Sequence, residues 1–82
     1  MSIEGQTLSA LQNGQSAIIR EIGQQIKGAQ RRRLLDLGIV PGVTIRHHID
    51  GPGGEPRAFE VLNSVIALRK EQTDHIRIKP EE

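Results

Sequence analysis

Glycine and proline constrain this chain more than any other feature. Nine glycines and four prolines are spread through 82 residues, and most intervals between them are too short for a helix but long enough for a strand. The expectation is a small, mainly β unit, a single domain over residues 1–82 with a shallow core. Thr7 to Leu11 reads as one short helical turn behind a Thr7 cap, stopped by Asn13-Gly14. Gln15 to Ile22 is a strand because Ile18, Ile19 and Ile22 are β-branched, although its imperfect alternation leaves its faces unassigned.

Ala29 to Leu37 is the one segment that reads as a helix of ordinary length, and Gly38 follows it as a left-handed terminator. Ile39 then packs back on Leu34, and Pro41-Gly42 fits a type II turn. Val43, Ile45, His47 and Ile49 fall on the inward parity of the next strand, opposite Thr44, Arg46 and His48. Asp50 to Arg57 holds three glycines and two prolines and is expected as a mobile hairpin loop. Beyond it, Phe59 and Val61 face inward, Asn63-Ser64 turns the chain, and Ile66 and Leu68 return on the same face. Lys70 to Asp74 reads as a helical turn, and Ile76 and Ile78 point inward from a last strand. Five short strands with one helix after the first imply a small five-stranded β-barrel, closed or nearly closed, because closure removes exposed edges.

Composition excludes several function classes. Phe59 is the only aromatic residue, so aromatic grooves for proline-rich peptides and stacking platforms for single-stranded nucleic acid lose their basis. Eleven Lys/Arg against ten Asp/Glu give a net charge of +1, which argues against a phosphate grip and leaves nucleic acid out of the expected partners. With no cysteine, disulfides, thiolate metal sites and thiol nucleophiles are out. The longest apolar run, Val65 to Leu68, is too short to span a bilayer, and the opening residues lack the features of a secretory leader. The reading is a soluble cytoplasmic protein with no direct membrane insertion.

Candidate functional residues are few. A helix turns about 100° per residue, so Arg31, Arg32 and Arg33 cannot share one face. Arg31 falls inside the apolar arc, where its stem packs along the core and its guanidinium reaches carbonyls or a carboxylate, or else meets a partner. Leu35 and Leu37 lie about 160° apart on the same wheel, wider than one buried stripe, so at least one is expected at the surface. His47, His48, Asp50 and His75 form the available metal-donor set. Adjacent histidines on a strand point to opposite faces, which leaves His48 and His75 as weak candidates. The stretch Gly51 to Pro56 lacks the Lys-Ser/Thr pair of a phosphate loop, and no catalytic constellation is present, so no enzyme and no cofactor are expected.

The ordered motifs Leu8-x-x-Leu11-x-x-Gly14-Gln15, Arg31 to Leu35, Leu37-Gly38-Ile39-x-Pro41-Gly42, Gly54-x-Pro56, Ile66-Ala67-Leu68-Arg69 and Ile76-x-Ile78 span nearly the whole chain. Together they resemble the ferrous-iron transport protein A (FeoA) family, with departures at Asn63-Ser64, where a glycine is common, and in the polar Gln24-Gln25 connection. The resemblance implies an SH3-like β-barrel with a helix inserted after the first strand. It also implies a small cytosolic, non-catalytic accessory that docks on the cytosolic GTPase domain of a membrane ferrous-iron permease. The related barrel of iron-dependent repressors works behind a DNA-binding domain, and no helix-turn-helix precedes it here.

On this reading the docking surface comprises Arg31, Arg32, Arg33, Leu35, Leu37, Gly38, Ile39 and Pro41, with the arginines as a charged rim. Two other readings compete: a direct transition-metal sensor or carrier through His48 and His75, and a nucleic-acid binder through Arg31, Arg32, Arg33 and Arg46. A homo-oligomer is also compatible with surface leucines.

Overall fold

A computed structural model of the chain describes residues 5–81. A 3-10 turn at Leu8–Ala10 leads into β1 (Ser16–Ile22), α1 (Gly28–Asp36) and β2 (Thr44–Asp50). A second 3-10 turn (Pro52–Gly54), β3 (Arg57–Val61), β4 (Ser64–Leu68), the one-turn helix α2 (Lys70–Thr73) and β5 (Ile76–Lys79) complete the chain. The strands form one antiparallel sheet in the order β4-β3-β2-β1-β5. The architecture is the expected mainly β, SH3-like one with a helix inserted after the first strand, but β4 and β5 do not pair, so the ladder stays open. Beneath the sheet, Leu34 of α1 joins Leu8, Leu11, Ile19, Phe59, Leu68 and Ile78 in one buried cluster. Burying such side chains supplies most of the stabilisation available to a chain this short.

Two bulges explain where simple alternation fails. Against β5, Ile19 faces Ile78 while Glu21 faces Arg77, so Arg20 is an extra residue and Ile22 returns to the buried side. Against β3, His47 faces Phe59 while Ile49 faces Ala58, which makes His48 the extra residue of β2. The bulge corrects the inward placement expected for Ile49: after one extra residue the parity inverts, and Ile49 is 59% exposed.

The same inversion brings Asp50 to the face of His47. His47 is buried and stacks on Phe59, with ring centroids 5.0 Å apart. Its Nδ1 lies 2.7 Å from the Leu11 carbonyl, which can only accept, so Nδ1 carries a hydrogen and donates. Nε2 lies 2.5 Å from Asp50 Oδ1, and both ring nitrogens are satisfied. In regular alternation residues 47 and 50 would sit on opposite faces, so the His48 bulge is the condition for this contact. Arg57 donates to the Ser9 carbonyl at 2.7 Å, and the Ser9 hydroxyl donates to Asp74 Oδ1 at 2.5 Å. These contacts clamp the N-terminal turn onto the sheet. Hydrogen bonds from Ser9 and then Lys70 hold the Asp74 carboxyl below its ordinary value. Thr7 occupies the cap position without making a side-chain cap bond.

The loop expected to be a mobile connector is closed by its own backbone. The ladder continues to the Asp50–Arg57 pair, Gly51 N–H donates to Pro56 O at 2.8 Å, and Gly54 N–H to Gly51 O at 2.9 Å. The following hairpin turn is also displaced from expectation. Val61 pairs with Ser64, so the turn residues are Leu62 and Asn63, with φ of 50° and 66°. Positive φ at both central residues is the type I′ geometry that matches strand twist.

Replacing Asp50 with Ala removes the partner of a buried imidazole nitrogen. The expected cost is about 1–3 kcal/mol of unfolding free energy, read by chemical denaturation; an unchanged midpoint and slope would contradict the clamp.

Candidate functional site

The most distinctive surface is built where α1 ends. Leu37 closes the helix, and Gly38 follows with φ of 102°. Gly38 N–H donates to Leu35 O at 3.0 Å, and Ile39 N–H to Leu34 O at 2.9 Å. These two bonds make a Schellman motif and satisfy carbonyls that the helix end leaves open. Leu34 and Ile39 are both buried in the core cluster, as the pattern of the sequence implies. Val43 N–H then donates to Val40 O at 3.1 Å across Pro41 and Gly42, whose φ is 94°, giving the expected type II turn. Reciprocal bonds between this turn and β1, Gly42 N–H to Ile19 O at 2.8 Å and Ile19 N–H to Val43 O at 2.9 Å, fix it to the sheet.

The β3–β4 hairpin supplies the other half of the surface. A Cβ added to Gly38 would sit 2.8 Å from Leu62 Cδ1, so the Leu62 side chain lies directly over the glycine. Leu62 is 65% exposed although its left-handed backbone disfavours a side chain of this kind. Leu35, one helical turn before Gly38, is 41% exposed, and Val40, two residues after it, is 38% exposed. Leu62 thus overlies a glycine that is locked into two turns, and Leu35 and Val40 are exposed close to that glycine in sequence. Leu62 and Val43 border a shallow open depression lined by Arg46 and Glu60, which face each other across β2 and β3.

The expected docking residues divide into distinct groups. Leu35 and Pro41 lie at the surface, and Arg32 and Arg33 are exposed on α1. Leu37 is half-buried and lines a separate cleft of about 300 Å³ with Arg33, Pro56, Leu68 and Arg69. Ile39 is fully buried and Gly38 is buried beneath Leu62, which corrects their assignment as contact residues: both support the surface from below. Arg31 is half-buried and donates to the carbonyls of Gly23 at 3.0 Å and Ile26 at 3.1 Å. Its guanidinium closes the β1–α1 connection, with the stem along the core. Val40 and Leu62 belong to the surface but escape the sequence reading. The signal that could have found Leu62 is a two-residue hairpin beginning one residue earlier.

The donor set for a metal is dispersed. His47 uses both ring nitrogens within the fold, His48 is exposed on the opposite side of β2, and His75 is half-buried after α2. Among the described residues, no three His, Asp or Glu side chains come together in a group able to hold an ion. No described helix is long and apolar enough to cross a membrane.

Gly38→Ala tests the seat of Leu62. It places Cβ at a left-handed position and against a neighbouring side chain, and it should destabilise the fold by about 1–2 kcal/mol. Denaturation together with the Leu62 methyl shifts in NMR checks this; a neutral substitution with unmoved methyls would contradict the geometry.

Comparison with known proteins agrees with this architecture. No curated protein matches significantly. Among solved structures, iron(II) transport protein A from Clostridium thermocellum is 31% identical with a TM-score of 0.81, the match covering 90% of this chain and 44% of that one. The first of these structures is therefore more than twice as long as the part this chain matches. The FeoA protein from Chlorobium tepidum is 26% identical with a TM-score of 0.83, over 93% and 70% of the two chains. Stenotrophomonas maltophilia FeoA, solved with zinc and described as a procaryotic SH3 domain protein and candidate ferrous iron transport activating factor, is 31% identical. Its TM-score is 0.78, over 92% and 91% of the chains. The FeoA domain model matches residues 6–80, nearly the whole sequence, and the chain belongs to the FeoA domain family.

Proposed function

We propose that this protein is a small cytosolic, non-catalytic accessory of bacterial ferrous-iron uptake that docks on the GTPase-containing cytosolic region of a membrane iron permease and modulates it. The observation that carries this reading is a set of exposed aliphatic residues, Leu62 seated on Gly38 and Leu35 and Val40 close to that glycine in sequence. Its members are held by a Schellman motif, a type II turn and a tight hairpin, so docking costs little ordering entropy. Family membership and the description of the Stenotrophomonas maltophilia relative as a candidate ferrous iron transport activating factor supply the iron-transport context.

Arg32, one turn before Leu35 on α1, is exposed and favours an acidic partner surface. Rim charges act mainly on the association rate, whereas the desolvated aliphatic centre governs dissociation. Such a module changes a GTPase only if it binds one conformational state more tightly than another, and its effect is bounded by that difference. Leu62 fits a contact role because a leucine at positive φ is costly, and local strain of this kind collects at functional sites.

Two substitutions separate binding from folding. Leu35→Asp should reduce affinity for the purified GTPase domain by roughly tenfold or more. Leu62→Asn suits the left-handed turn better than leucine, so it should preserve or raise thermal stability while also weakening binding. Calorimetric titration and thermal melts read both; unchanged affinity in the two folded variants would refute the docking assignment.

A further inference from the structure

The two edges of the open sheet are treated differently. The outer edge of β5 is covered by the chain itself: Thr7 pairs with Arg77, and Ile78 N–H donates to Gln6 O at 2.9 Å. β4 pairs with β3 alone. Its sequence, Ser64-Val65-Ile66-Ala67-Leu68, carries no charge, no proline and no bulge, the usual devices that keep an edge from pairing.

The phase of the ladder identifies which groups are bare. Val61 and Ser64 flank a two-residue turn and form a closely bonded pair, so Phe59–Ile66 and Arg57–Leu68 are the next bonded pairs. Independent support comes from the next strand: His47 spends its N–H on Gln15 O and its C=O on Gly14 N–H, toward β1. It is therefore non-bonded to Phe59, as this phase requires. The N–H and C=O of Val65 and Ala67 thus point away from β3, and among the described residues no backbone partner reaches them. Val65 is 59% exposed, and Ala67 is exposed as well. Ala67 and Leu68 line one wall of the cleft that Arg33 and Leu37 line as well.

We propose that a second copy of this chain pairs antiparallel with β4, about a two-fold axis at Ile66. In that register Val65 of each copy faces Ala67 of the other, and each pair exchanges two N–H···O bonds. All four bare donor and acceptor pairs at the edge are satisfied at once. The register sets a larger aliphatic side chain opposite a smaller one and brings no like charges together. On the outer face, Ile49, Ala58 and Ala67 already lie in one row across β2, β3 and β4. Val65 of the second copy extends that row, so exposed Ile49 becomes part of a longer apolar stripe.

Sedimentation velocity from low-micromolar to near-millimolar concentration tests the pairing, with amide hydrogen exchange at Val65 and Ala67 as the positional readout. A dimer whose formation slows exchange at both amides is expected. Val65→Pro removes an N–H that β3 does not use, so the internal ladder survives while self-association weakens by roughly tenfold or more. If that variant misfolds, Val65→Lys places a charge on an exposed edge position and should have the same effect, while Val65→Thr should pair as the parent does. A chain that stays monomeric throughout would overturn the proposal. So would a dimer that persists in the folded variants, or protection of these amides only on adding an extended peptide from another protein.

Discussion

The backbone of Gly38 is the constraint on which the surface of this domain depends. A residue with a side chain would resist φ near 102° and would collide with Leu62, so one glycine terminates α1, lets Ile39 return to the core and seats the tip of a distant hairpin. Without that seat, Leu62 would lose the glycine it rests on. Local chain geometry therefore sets the tertiary surface.

A second constraint organises the far end of β2. The extra residue at His48 sends Ile49 outward and turns Asp50 toward His47, whose ring reaches back to Leu11. One backbone irregularity thus anchors the N-terminal turn through a buried imidazole and leaves an aliphatic side chain exposed. The histidine that lies deepest is a structural tie, and its two nitrogens are engaged within the fold.

Features that depend on a few neighbouring residues were legible in the sequence: the helix and its glycine terminator, the Pro41-Gly42 turn, and the inward rows Phe59/Val61, Ile66/Leu68 and Ile76/Ile78. The bulges at Arg20 and His48 were not, because parity after a bulge is set by the partner strand. The hairpin illustrates the limit well. Turns at Leu62-Asn63 and at Asn63-Ser64 both keep Phe59, Val61, Ile66 and Leu68 on one face, so the hydrophobic pattern cannot choose between them. Asn63 signals a turn of either kind, and leucine gives no sign of occupying a left-handed position. As a consequence Leu62, the most exposed aliphatic residue of the candidate site, went unseen. Arg31 was easier, because its place on the helical wheel already put it within the apolar arc.

Docking through the Gly38 platform, with a preference for one state of a GTPase, is the central functional claim. Two-dimensional amide NMR of this protein, titrated with the purified cytosolic GTPase domain of the co-resident iron permease with and without nucleotide, tests it most directly. The account predicts saturable shifts concentrated at residues 35–43 and 61–63 and dependent on the nucleotide present. Shifts located elsewhere, a nucleotide-independent response, or no response at saturating domain would contradict it.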